Sequence, residues 1–231
     1  MTTGAQLGLR FLIGLGVLAV GPVVAFDLLR QGGVVAALAP HEHVEHSMLG
    51  FVLACAGVVA FAFVLRPGLS WLPLRPGHVV VRYGGFVLLW APLLLGYLAL
   101  LRATGIAIAP QPALPYLADA DFARPGFWCV VVGTCVAAPL AEEVVFRGYL
   151  QPALLASMSP RAAIAITAAA FGLVHTLPYA LPVALLGAFF GWLAWRCGSL
   201  WPAVLAHMLH NVTTVVLTVC WPGSLDLLYP R

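Results

Sequence analysis

Residues 127–150 read FWCVVVGTCVAAPLAEEVVFRGYL, an apolar run that closes on two glutamates and an arginine. At about 1.5 Å per residue, such a run crosses the roughly 30 Å hydrocarbon core of a bilayer as a helix. Comparable apolar stretches fall at 9–29, 47–65, 86–101, 162–177, 180–195 and 200–220. Across the chain 62% of residues are hydrophobic and 8% charged, far from the roughly 45–50% and 25% of soluble domains. The sequence therefore predicts an all-α, polytopic transmembrane helix bundle of about seven or eight helices with a buried polar cavity. No soluble stretch is long enough to fold by itself, so residues 1–231 are expected to form a single integral membrane domain.

The arginines orient such a bundle. Arg66, Arg75 and Arg82 lie between the second and third stretches, with Arg161 and Arg196 at later turns, whereas Glu42, Glu45, Asp119 and Asp121 occupy the alternate loops. The positive-inside rule then puts the N-terminus, with Arg10, in the cytoplasm; Arg102 and Arg124 run against this pattern. The stretch at 9–29 exceeds the roughly 7–15-residue core of a secretion signal and lacks a small-x-small cleavage pattern, so it reads as an uncleaved helix. A formal net charge of +3 is too small to suggest a nucleic-acid partner. Cys55, Cys129, Cys135, Cys197 and Cys220 have no Cys-x-x-Cys spacing and read as buried thiols, not disulfides or metal ligands. Two connectors stand out, 67–78 and the proline-bearing 103–126, the second expected to be irregular. No internal repeat of the transporter kind is visible.

Charges inside an apolar helix cost about 2.5–3.5 kcal/mol each on insertion scales, so Glu142, Glu143 and Arg147 need partners or a purpose. Glu143 and Arg147 are four apart with the glutamate first, the orientation that favours an ion pair on one helical face. Glu142 points about 100° away. A buried ion pair is the expectation for Glu143 and Arg147, while a carboxylate left without that pairing in a low-dielectric interior suits a general base or acid, the expectation for Glu142. Counting from turn chemistry at 157–160 puts His175 on the next helix at the same depth, about 20–25 Å from the turn, where it can face Glu142. In the last hairpin, which turns at Cys197 and Gly198, His207 and Asn211 share a helical face, and an amide beside an imidazole in lipid needs a partner or a ligand. His210 reads more simply as a satisfied core histidine.

Taken in order, Glu-Glu-x-x-x-Arg (Glu142, Glu143, Arg147), Phe-x-x-x-His (Phe171, His175) and His-x-x-x-Asn (His207, Asn211), with the Phe-Arg-Gly around Arg147, resemble the motifs of the CPBP family. These are the CAAX-protease and bacteriocin-processing membrane proteins, also called the Abi family or glutamic-type intramembrane proteases. The resemblance covers about residues 127–214. It implies an intramembrane endopeptidase in which Glu142 and His175 hold and activate a water, and His207 and Asn211 stabilise the tetrahedral oxyanion. Glu143 and Arg147 would support them from behind, with Phe171 and His210 nearby. No covalent intermediate and no cofactor or metal is implied, zinc held by Glu142, His175 and His207 being the alternative. The implied partners are a membrane-protein or lipidated peptide substrate and the lipid bilayer, in a bacterial inner (plasma) membrane.

Other readings use the same residues. A non-catalytic binding or bacteriocin-immunity protein could use the same cavity, and a transporter could relay protons through Glu142 and His175. A rhomboid-like serine enzyme wants a Gly-x-Ser-x-Gly-like site that Cys197-Gly198-Ser199-Leu200 does not supply. A presenilin-like enzyme wants two membrane aspartates, yet Asp27, Asp119, Asp121 and Asp226 fall at helix ends or in connectors. The zinc-enzyme pattern His-Glu-x-x-His is absent, although HEHVEH at 41–46 is one position off it; that hexapeptide reads as a solvated collar where a helix begins.

Overall fold

The computed structural model describes residues 3–31, 40–65, 67–68, 76–106, 110–175 and 177–229. Apolar segments that must satisfy every backbone N–H and C=O without water favour the helix. The described residues form nine helices and no strand. In chain order they are α1 (Gly4–Gln31), α2 (Pro40–Val64), α3 (Pro76–Ala103), α4 (Ala113–Ala118), α5 (Pro125–Leu155), α6 (Pro160–Leu173), α7 (Ala180–Cys197), α8 (Trp201–Cys220) and α9 (Ser224–Leu228). Six apolar helices are long enough to cross a bilayer, and the protein is an all-helical, multi-pass membrane bundle.

The apolar stretch at 162–177 gives the shorter helix α6. α6 has 14 residues, about 21 Å, and falls short of the roughly 30 Å core. It opens as expected, with Ser159 as N-cap accepting from the Ala162 N–H and Pro160 in the first turn, a position where proline costs no hydrogen bond. It stops at Leu173, and the chain passes through a 3-10 turn, Leu177–Tyr179, into α7. Pro178 in that turn cannot extend the helix. Gly172 lets α6 lie directly on α7, because a Cβ there would collide with the Ala180 carbonyl and the Ala184 side chain. At the other end of α7, Gly198 takes a left-handed conformation at φ 61° and turns the chain into α8.

α5 is the central helix. Half of its most apolar window is buried, against 11–39% for the other spans. α1 runs antiparallel to it, with Gly14 against Val145 and Gly4 against Ala156. α2 runs parallel, with Met48 seated on Gly133 and the Tyr149 hydroxyl donating to the Leu65 carbonyl at 2.8 Å. Leu7, Cys55, Val58, Val144, Val145, Phe146 and Phe171 make one apolar core on that side. Val79, Leu186, Phe190, Leu193 and Ala206 make another between α3, α7 and α8. α5 is not uniform: it widens into π-helical turns at Gly133–Ala137 and Val144–Leu150.

The connector 103–126 is not wholly irregular, since it contains α4. Its Tyr116 hydroxyl donates to Glu45 Oε1 at 2.7 Å, and Glu45 packs over Gly126, where any Cβ would strike its carboxylate. HEHVEH thus occupies the first turns of α2, with His46 Nδ1–H donating to the Glu42 carbonyl at 2.8 Å. Arg66, Arg75 and residues 69–75 of the first connector lie outside the described residues. Arg82 and Arg196 gather at the end where α7 turns into α8, Arg82 lying over Trp192 at 5.7 Å.

Burial, and the acceptance of its proton by Glu45, push the Tyr116 phenol above the ordinary tyrosine range. The neutral phenol is the bonded form, so its contribution is complete below about pH 10, the unfolded value, and is lost as pH rises through the folded one. Limited proteolysis of the connector should therefore be slow in the wild type near neutral pH and accelerate only in strong alkali. Tyr116→Phe should be cut faster than wild type below that alkaline step and no faster above it, with the step itself gone; an unchanged cutting profile would show that the bond does not hold the connector.

Candidate active site

An ionised carboxylate buried in an apolar bundle persists only when cations and hydrogen-bond donors surround it. Glu143 has no exposed side-chain surface, and its Oε1 takes two donors. Arg147 Nη1 reaches it at 3.0 Å from one turn along α5, which is the ion pair expected from the spacing. His207 Nδ1 reaches it at 2.9 Å from α8. Since an ionised carboxylate only accepts, Nδ1 carries the proton and Nε2 is the ring nitrogen left for other partners. That nitrogen lies 3.9 Å from Glu142 Oε2, and the Glu142 side chain keeps 19% of its surface exposed. The two neighbouring glutamates are thus divided between a closed, paired environment and an open one.

Arg147 is fully buried and spans helices. Its Nη2 donates to the Gly187 carbonyl at 2.8 Å, and its guanidinium lies 4.5 Å from the centroid of Phe171 and 5.7 Å from that of Phe190. Desolvated cation–π contacts are worth about 2 kcal/mol. The approach depends on Gly187, where a Cβ would lie 3.1 Å from Arg147 Nη2 and 3.0 Å from Phe171. One turn further along α5, Gln151 Nε2 donates to the Gly191 carbonyl at 2.9 Å. Arg147 and Gln151, four apart, therefore bond two carbonyls four apart on a parallel helix.

The remaining predicted residues arrive from three elements. His175 lies just beyond α6, not on it, and its Nδ1–H donates to the Phe171 carbonyl at 2.7 Å. Among the described residues no direct bond joins it to Glu142, and it reaches the site from just past the end of α6. Phe171 nevertheless packs against His175 at 4.9 Å and His207 at 5.8 Å, and His207 stacks on Phe190 at 4.8 Å. Asn211 Nδ2 donates to the Thr134 carbonyl at 2.8 Å, in the first wide turn of α5, where the i to i−4 pattern is broken. Its second amide hydrogen remains for another acceptor. His210 turns to α3, where it meets Tyr83 Oη at 3.3 Å and the edge of Trp90.

Gly187, Gly191, Gln151, Phe190 and the Thr134 carbonyl were not anticipated from the sequence. Gly-x-x-x-Gly at 187 and 191, the spacing of close-packed membrane helices, and a glutamine one turn past Arg147 were the available signals. Among the described residues no group of three or more His, Cys, Asp or Glu side chains is placed to hold a metal ion.

Residues 124–213 match the family model described as Rce1-like, type II CAAX prenyl endopeptidase Rce1-like. No curated protein and no solved structure gives a match. The matched segment carries α5 to α7, α8 as far as residue 213 and every residue of the Glu143 cluster, and over that segment the chain is similar to the CAAX-protease family of membrane peptidases.

Proposed function

We propose that the protein is an intramembrane endopeptidase of glutamic type, cutting a peptide bond of a lipidated or membrane-bound protein with a water activated by Glu142. The observation that carries this reading is the division of labour between the two glutamates. Glu143 is sealed from water, with Oε1 held by Arg147 and His207 and Oε2 buried, which leaves Glu142, partly open and 3.9 Å from His207 Nε2, as the carboxylate able to take a proton from water. His175, with Nδ1–H held by the Phe171 carbonyl, offers Nε2 to orient that water. His207 Nε2 and the free amide hydrogen of Asn211 are the donors for the tetrahedral oxygen. Donation from Nε2 uses the imidazolium form of His207; with the water's proton on Glu142, the two cations Arg147 and His207 then balance Glu143 and the oxyanion. No covalent enzyme intermediate forms and no cofactor takes part.

The core of this activity is residues 127–214, inside a single domain. The substrate class is the one suggested by the similarity to type II CAAX prenyl endopeptidases: a C-terminal segment following a lipidated cysteine, presented from the bilayer. The membrane is taken to be a bacterial inner one, and a cytoplasmic N-terminus is supported by Arg82 and Arg196 at one end and Glu45 with Asp121 at the other, by the positive-inside rule. Nucleic acid has no part in it.

The test uses purified protein in lipid nanodiscs and an internally quenched peptide carrying a farnesylated cysteine three residues from its C-terminus. Glu142→Gln should lower kcat by about 10²–10⁴-fold while thermal stability is largely kept, since that side chain is partly open and its contact with His207, at 3.9 Å, is longer than a hydrogen bond. Wild-type turnover retained in Glu142→Gln would remove the mechanism, and no cleavage by well-folded wild type would favour a binding protein. Arg147→Ala behaves differently: it strands the Glu143 carboxylate, a loss of about 3–5 kcal/mol, and should reduce the yield of folded protein together with activity. Intact stability with lost activity would instead make Arg147 part of the reacting group.

A further inference from the structure

Gln151 is fully buried, yet only half of its amide is used. Nε2 donates to the Gly191 carbonyl at 2.9 Å, and Oε1 has no partner. A buried amide with an unmet acceptor costs free energy that an apolar side chain of the same length, such as methionine, would not. The space is also specific. A Cβ at Gly191 would lie 2.6 Å from Gln151 Oε1, so the glycine exists where the amide comes to rest. The bond repeats, one turn on, the bond from Arg147 to Gly187.

We propose that Gln151 is a positioning residue for the peptidase centre, fixing the axial register of α5 against α7 so that one guanidinium reaches both Glu143 and the Gly187 carbonyl. This rests on the peptidase reading above. The chain of contacts is short. Gln151 sets where α5 sits along α7; that register lets Arg147 hold Glu143 Oε1 at 3.0 Å while bonded to Gly187; and the same oxygen holds His207 Nδ1 at 2.9 Å. With the second rung removed, α5 can slide until Arg147 satisfies one acceptor at the expense of the other, and the His207 ring turns away from Glu142. Misplacement of a reacting group by about 1 Å is enough to cost about 10²-fold in rate.

The experiment compares wild type, Gln151→Met, Gly191→Ala and the double variant Gly191→Ala/Gln151→Ala in nanodiscs, with three readouts. The first is the ¹⁵N resonances of His207, assigned by its absence in His207→Gln, which report the tautomer without any substrate. The second is kcat and KM on the farnesylated peptide, and the third is the melting temperature. Gln151→Met should melt close to wild type, lose about 10- to 100-fold in kcat at nearly constant KM, and show His207 in mixed tautomers. Gly191→Ala should be impaired in both melting and kcat. The double variant should recover melting, because the collision is relieved, and keep the low kcat, because the bond is still missing. Recovery of kcat along with melting, or a Gln151→Met protein with wild-type histidine resonances, would make Gln151 mere filling and overturn the proposal. Failure of wild type to cleave the peptide would count against the peptidase reading alone, since the resonances decide the role of Gln151 without turnover.

Discussion

A carboxylate in the middle of a membrane bundle organises this protein. Glu143 is cut off from water, and its Oε1 accepts from Arg147 on the same helix and His207 on another. Removing either donor would leave a charge whose solvation nothing replaces. The other features of the site follow from meeting that demand: a guanidinium braced by aromatic faces and the Gly187 carbonyl, an imidazole with its proton fixed on Nδ1, and a second glutamate excluded from the pairing and left open.

The backbone meets the demand as much as the side chains do. The wide turns of α5 each present a carbonyl to an outside donor, Thr134 to Asn211 at 2.8 Å and Gly148 to the Gly68 N–H at 2.7 Å. In lipid, where no water replaces a broken helical bond, such a turn persists only when something else occupies the freed groups. Glycines do the complementary work on α7, since Gly187 and Gly191 bring two carbonyls within reach of side chains on α5. Close helix contact through small residues is the usual route to association in a solvent that drives none by hydrophobicity.

Much of this was legible in the residues. Composition and run length are local properties, and they led to the helical membrane bundle. The four-residue spacing of Glu143 and Arg147 is local too, so that pair and the different direction of Glu142 could be read directly. The His207 contact could not, because which side chains meet across α5 and α8 depends on the crossing of the two helices and on the wide turns between residues 133 and 150. That His175 follows the end of α6 at Leu173 could not be read either, because where an apolar helix stops depends on its packing against α7. Gln151 gave only the weak signal of its place one turn past Arg147: its amide has meaning only once Gly191 is known to lie opposite, and the chain has 23 glycines.

If the cluster built on Glu143 serves hydrolysis at Glu142, the products must be found where the natural substrates are. Membranes from cells producing wild type or Glu142→Gln at equal level would be compared by mass spectrometry of protein C-termini, lipid-modified ones included. New C-termini, shortened by a few residues and present only with wild type, are the predicted result. Identical sets of C-termini from two folded, equally abundant proteins would contradict it.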